Sequence, residues 1–345
     1  MHMILLYILI LLTCFVVLAR IVDLFFIASL DKISKDLKLS GEAAGATLMA
    51  VGSSAPELFV ALFAVLKPGE HGAIGIGSIV GSAIFNLLVI IGAAACAKTI
   101  KLTKAPLIRD LLFYTLTVVL LVFFIHDGNF SLLESGIFLG VYVVYVLAVV
   151  YWQRIFPYED VKGDEKQHEQ NEESNKIIRQ LDRFLKFIFP REKNYYGVFA
   201  VSIILIAVLS YVLVEVAVVS AHILNVSETI IALIVLAVGT SVPDLFSSII
   251  VAKQGRGDMA VSNAIGSNIF DILVGLGLPF MIVMLLSGDT IEAGGNITRS
   301  VIILLGAVVL LVILLFLGRW KVKKPVGILL ILVYIAYVVF EIGTY

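Results

Sequence analysis

One eight-residue stretch with an acidic member occurs twice in this chain, each time inside a long apolar run. The copies are Gly52-Ser53-Ser54-Ala55-Pro56-Glu57-Leu58-Phe59 and Gly239-Thr240-Ser241-Val242-Pro243-Asp244-Leu245-Phe246. Each is followed by a second matched stretch, Gly81-Ser82-Ala83-Ile84-Phe85-Asn86 and Gly266-Ser267-Asn268-Ile269-Phe270-Asp271. A carboxylate in hydrocarbon is costly, so an acid inside a membrane span marks a functional site by default. Two such acids in matching frames call for a fold that brings the copies together.

The surrounding sequence is that of a polytopic membrane protein. Of 345 residues, 60% are hydrophobic and 15% charged, with a mean hydropathy of +1.06. Apolar runs of about 18–25 residues, enough to cross a bilayer, recur along the whole chain. They do not alternate as barrel strands do, and lipid-exposed backbone must satisfy its own hydrogen bonds, so the fold class is all-α. Ten spans are expected, near residues 3–30, 41–66, 72–97, 108–126, 131–153, 195–220, 226–252, 257–284, 298–318 and 324–343. Met1-His2-Met3 is a poor basic leader and no small-x-small site precedes Arg20, so the first run reads as a retained span. Cys14 and Cys96 fall in apolar segments away from any Cys/His cluster, which supports neither a zinc site nor a disulfide framework.

Lysine and arginine set the orientation. Lys32, Lys35, Lys38, Lys98, Lys101, Lys104, Arg109, residues 154–193, Lys253, Arg256, Arg319, Lys321, Lys323 and Lys324 all follow odd-numbered spans, whereas the opposite loops hold only Lys67 and Arg299. The positive-inside rule then puts both termini outside and the central loop in the cytoplasm. Within that loop, residues 158–174 read as a polar linker. Ile177, Leu181, Phe184, Leu185 and Ile188 follow at helical spacing with Arg179, Arg183 and Lys186 between them. This suits either an amphipathic helix on the inner membrane face or a plain helical connection.

The repeat covers the halves. Glu57 and Asp244 are 187 residues apart, as are Ser40 and Ser227, and Asn86 and Asp271 are 185 apart. Two five-span halves, 1–153 and 195–345, are therefore expected, joined by 154–194. An odd span count inserts the second half upside down, and inverted repeats of this kind carry their site at the midplane between halves.

Within the motifs, proline removes a backbone donor and frees carbonyls near Gly52 and Gly239. Hydroxyls flank the glycines, and one carboxylate follows. Oxygen-only clusters suit hard cations, which for Ca²⁺ means about 6–8 oxygen ligands; the lack of nearby imidazole or thiolate argues against zinc, copper or iron. Glu57 and Asp244 from opposite halves suit a divalent ion. Asn86 and Asp271 stand four residues beyond Ser82 and Ser267, on the same helical face. Arg20 and Asp23 are spaced to pair with each other. Glu215 has no evident partner, Asp258 belongs to a loop, and His71, His126, His168 and His222 lack metal spacing.

These motifs resemble the paired alpha-repeats of the cation/calcium exchanger superfamily. The stretch from Asp258-Met259-Ala260-Val261-Ser262-Asn263 to Gly275-Leu276-Gly277-Leu278-Pro279 resembles its potassium-dependent sodium/calcium exchanger branch. The resemblance implies two inverted five-helix halves with cations bound where spans two, three, seven and eight cross. It implies Glu57 and Asp244 as the main Ca²⁺ carboxylates. Ser53, Ser54, Thr240, Ser241, Ser82 and Ser267 would supply further oxygens, Ala50 and Ala237 backbone carbonyls, and Asn86 and Asp271 the rest of the ring. An aspartate at the Asp271 position goes with K⁺ use in that branch, although some prokaryotic relatives carry it without needing K⁺. Spans one and six are the implied moving gate.

The expected function is a Na⁺/Ca²⁺ antiporter of the plasma membrane, with K⁺ co-transport left open. Its expected partners are the lipid bilayer and inorganic cations, and no cofactor, enzymatic activity, nucleic acid or obligate protein partner is expected. One rival is a proton-coupled cation exchanger, whose usual Gly-Asn-x-x-Glu pattern is absent. The other is an intramembrane aspartyl protease, for which Gly255-Arg256-Gly257-Asp258 supplies a Gly-x-Gly-Asp match without a Tyr-Asp partner.

Overall fold

The computed structural model describes residues 2–37, 50–67, 71–155, 176–190, 194–288, 290–292 and 297–344. Lys38, Ser40, the start of the second span, the 158–174 linker, His168 and Lys193 lie outside the described residues. Nine of the described helices are long and apolar enough to cross a bilayer, and a shorter apolar helix stands where the second span is expected. In chain order they are α1 (Ile4–Asp36), α2 (Ala50–Leu66), α3 (Gly72–Ala97), α4 (Lys104–Phe124) and α5 (Leu132–Ile155). After the amphipathic α6 (Lys176–Ile188) come α7 (Tyr195–Leu224), α8 (Glu228–Lys253), α9 (Gly257–Ser287), α10 (Ile297–Leu317) and α11 (Lys324–Gly343). Helix α1 runs past the expected end near residue 30, and its polar last turns carry a Lys35–Asp31 pair at 2.8 Å. Such an i,i+4 pair supports helix that leaves the apolar layer.

Two contacts report how the halves meet. Phe85 of α3 stacks edge-on against Tyr334 of α11 at 5.4 Å and 78°. Phe270 of α9 meets Tyr142 of α5 at 5.5 Å and 79°. Phe85 and Phe270 are repeat mates at the 185 offset, and Tyr142 and Tyr334 each belong to the last span of their half. The same aromatic joint is therefore built twice, with the halves exchanging roles, as a pseudo-two-fold relation requires.

The short strands β1 (Ile100–Lys101), β2 (Asn129–Phe130), β3 (Ile291–Glu292) and β4 (Lys321–Val322) repeat the pattern. β1 pairs antiparallel with β4, and β2 with β3. The connection after the third span of one half thus joins the connection after the fourth span of the other, in both directions. Each pair joins segments an even number of spans apart, which puts both members on one side of the membrane.

Helices α3 and α9 are the centre. In α3, 83% of the apolar window is buried, against 22% in α5. A helix apolar all round belongs in an interior, whereas α5 turns Leu133, Val143 and Leu147 outward. A second cluster, with Leu18, Phe26, Ile206 and Leu213, packs α1 against α7.

Helix α3 crosses α8 at Gly81, where a Cβ would lie 2.1 Å from the Leu233 carbonyl oxygen. Its repeat mate Gly266 has only the Tyr145 hydroxyl, at 3.8 Å, near the same position. Equivalent glycines therefore predict opposite outcomes. Gly81→Ala forces α3 from α8 and should cost about 1–3 kcal/mol, the usual range for overpacking, whereas Gly266→Ala should leave the thermal unfolding midpoint of the purified protein nearly unchanged. Equal shifts in the two variants would contradict this packing.

Candidate cation site

The two acidic motifs lie on α2 and α8, which stay helical through Pro56 and Pro243. The backbone irregularity appears elsewhere, as π turns at Val22–Phe26, Asn86–Ile90, Ile231–Leu236 and Asp271–Leu276. Asn86 and Asp271, the last members of the second motif pair, each open such a turn. π turns inside α-helices recur at functional sites. Gly239 lies under Phe15 of α1, whose ring would stand 2.1 Å from a Cβ there.

Polar side chains join the halves crosswise. The Ser82 and Ser241 hydroxyls are 2.6 Å apart, and Ser53 and Ser267 are 3.3 Å apart. Thr240 caps the Leu236 carbonyl at 3.1 Å, near that of Ala237, and stands against the Glu57 carboxyl. Ser54 bonds Asp271. Glu57 and Asp271 are buried, whereas Asp244 is half-buried. Asp244 feels the charge of Glu57 and of Asp23 on α1, and Asp271 that of Glu57 and Asp244. Ten predicted residues thus gather from α2, α3, α8 and α9: Ser53, Ser54, Glu57, Ser82, Asn86, Thr240, Ser241, Asp244, Ser267 and Asp271. Ala237 joins them through its carbonyl, and Ala50 opens the described part of α2.

The buried acceptors are the informative atoms. Glu57 Oε2, Asp271 Oδ1 and Asn86 Oδ1 are buried with no hydrogen-bond partner. Each such atom costs about 1–3 kcal/mol, more when charged. All three are oxygen acceptors, so a cation satisfies them and an anion does not. Among the described residues no three His, Cys, Asp or Glu side chains converge as a metal site. A cation here must therefore draw on hydroxyl, amide and carbonyl oxygens too, which suits a hard ion.

One residue of the site was not expected. Asn268 is fully buried; its Oδ1 accepts from Asn86 Nδ2 at 2.9 Å. Its own Nδ2 donates to the Ala83 carbonyl at 3.1 Å and the Tyr114 hydroxyl at 3.0 Å. Asn268 thereby holds the Asn86 amide nitrogen, and the Asn86 oxygen is left without a partner. The signal was the break of symmetry at that position, Ala83 in one half and Asn268 in the other.

Charges left aside in the sequence also find places. Arg20 pairs with Asp182 of α6 at 2.8 Å, a partner that helical spacing could not reveal. Lys67 pairs with Glu215. His71 meets Glu228 at 2.7 Å, and His222 approaches the same carboxylate at 3.6 Å. Asp258 occupies the first turn of α9, away from the other acids' crossing, which removes the protease reading.

The sodium/calcium exchanger protein family profile matches residues 6–151 and 194–343, leaving out chiefly the central loop. The chain belongs to this family. Among relatives, sodium/potassium/calcium exchanger 4 of Mus musculus is 28% identical, over 95% of this chain and 79% of its own length. Sodium/potassium/calcium exchanger 5 of Homo sapiens is 29% identical, over 99% and 84%. Two solved structures share the fold. The sodium-calcium exchanger NCX_Mj, soaked with Na⁺ and Sr²⁺, has a TM-score of 0.61 at 24% identity, covering 97% of this chain and 98% of that one. The H⁺/Ca²⁺ exchanger CAX has a TM-score of 0.69 at 15% identity, covering 97% and 80%. The chain is thus an all-α, multi-pass membrane protein of an exchanger family.

Asn268→Ala should weaken Ca²⁺ binding by about 3- to 10-fold, as the loss of the one hydrogen bond that orients Asn86, about 0.5–1.5 kcal/mol net, implies. Calorimetric titration of purified protein measures it, and unchanged affinity would remove Asn268 from the support of Asn86.

Proposed function

We propose that this protein is a secondary antiporter that exchanges Na⁺ for Ca²⁺ by alternating access, at one site built from both halves. The observation that carries the reading is the set of three buried, unpartnered oxygens on Glu57, Asp271 and Asn86. Glu57 and Asp244 serve as the Ca²⁺ carboxylates. The hydroxyls of Ser53, Ser54, Ser82, Thr240, Ser241 and Ser267 and the carbonyls of Ala50 and Ala237 complete shells for Ca²⁺ or Na⁺. Both ions draw on overlapping oxygens, so occupancy by one excludes the other, and that competition couples their fluxes. Asp271 and the sodium/potassium/calcium exchanger names of the relatives support K⁺ as a co-transported ion.

The halves are residues 1–153 and 195–345, inverted about the site, with the 154–194 segment cytoplasmic and both termini outside a plasma membrane. In that frame the site is closed at its outer end. Lys67–Glu215 and His71–Glu228 tie α2 and the start of α3 to α7 and α8 there.

The test is ⁴⁵Ca²⁺ uptake into Na⁺-loaded proteoliposomes, with and without K⁺, and with a pH gradient in place of the Na⁺ gradient. Uptake should follow the Na⁺ gradient and rise with K⁺, and Glu57→Gln or Asp244→Asn should abolish it. Uptake driven only by pH would make the protein a proton exchanger, uptake indifferent to K⁺ would remove the K⁺ step, and normal uptake by either variant would sink the site assignment.

A further inference from the structure

Helix α6 has two faces. On one, Leu185 and Phe189 are buried in the cluster formed by α1 and α7. Phe189 stacks on Phe25 of α1 with ring centroids 3.7 Å apart and planes within 6°. Asp182 on the same side takes Arg20 as a two-point partner, Nε to Oδ1 at 2.9 Å and Nη2 to Oδ2 at 2.8 Å. This fork fixes the rotation of α6 about its own axis, because planar guanidinium–carboxylate pairing tolerates little turning.

The opposite face interleaves aromatic and basic side chains. Phe184 is 61% exposed and Phe187 88%, and Arg179, Arg183 and Lys186 are exposed among them. Arg20 already engages the one acid of this helix, so the outward face carries positive charge only. Six residues separate Ile188 from Tyr195, where α7 begins. They span at most about 20 Å when fully extended, which keeps α6 at the membrane end of α7. Large apolar rings flanked by cations, held at that level, match the interfacial pattern in which rings enter the acyl boundary and cations meet anionic headgroups.

We propose that the outward face of α6 is a binding surface for anionic phospholipid, and that the Asp182–Arg20 fork and the Phe189–Phe25 stack fasten this lipid-bound helix to α1. The inner end of α1 is thereby anchored to the charge of the adjacent leaflet.

The experiment uses the full chain with Trp152 and Trp320 replaced by phenylalanine and one tryptophan placed by Phe187→Trp, with Phe184→Trp as a second reporter. Each is reconstituted with brominated phosphatidylglycerol or with brominated phosphatidylcholine at equal mole fraction. Phosphatidylglycerol should quench the tryptophan at least about twofold more strongly. That excess should vanish in the Arg179→Gln, Arg183→Gln, Lys186→Gln variant and shrink as the Debye length falls from about 10 Å at 0.1 M salt to about 3 Å at 1 M. Equal quenching by the two lipids, or an excess that survives the triple substitution, would overturn the proposal. Reporters unquenched by either lipid would also overturn it and would point to a protein on this face.

Discussion

Buried carboxylates in a membrane interior are the constraint around which this protein is built. A charge at the bilayer centre is costly, and intramembrane acids persist where they face a partner or a polar cavity. Glu57 and Asp271 lie in the interior within each other's field, and Asp244 stands beside them. Thr240 and Ser54 stand against Glu57 and Asp271 but leave one oxygen of each unmatched. The remaining demand is for positive charge, which an entering cation meets and which departs with it. Affinity and release thus share one origin, as a transport site requires.

The rest of the architecture packs around this site from both halves. The duplicated Phe–Tyr joints and the reciprocal strand pairs lock α3 and α9 to the far half's last spans. Helices α1 and α7 share a second cluster with α6, and with Ala55, Val60 and Ala64 of α2 and Ile231, Ala232 and Leu236 of α8. Phe15 of α1 presses on the motif glycine Gly239, and Ser210 of α7 approaches the Pro56 carbonyl at 3.5 Å. The α1–α7 pair therefore covers both acidic motifs from outside the locked core.

Much of this was legible in the sequence because a membrane span leaves few choices. Apolar length gave the helices, and the paired motifs gave the four that cross. Ser227 illustrates the limit of detail: its match to Ser40 marked a repeat, and the structure gives it a role, capping α8 through the Ile230 amide at 3.3 Å. What escaped was long-range pairing. Glu215 looked partnerless because Lys67 is 148 residues away, and Asp182, which Arg20 grips, is 162 residues away. Asn268 stands where the first half has Ala83. The departure was itself the clue, since a polar residue in only one half must be answered by something unique there, and Tyr114 and Asn86 answer it. Proline, expected to free carbonyls near Gly52 and Gly239, ends neither helix. The helices continue through Pro56 and Pro243, and π turns, which have no simple sequence signature, carry the irregularity.

The central claim is that one oxygen-lined site, made from both halves, is contested by Na⁺ and Ca²⁺. Equilibrium ⁴⁵Ca²⁺ binding to purified protein over a series of Na⁺ concentrations tests it without a membrane, a gradient or a turnover step. The apparent Ca²⁺ dissociation constant should rise with Na⁺, more steeply than first order because several Na⁺ ions are needed to occupy the oxygens that one Ca²⁺ vacates. Ca²⁺ binding that stays constant across the Na⁺ series would contradict a shared site and with it the mechanism of exchange.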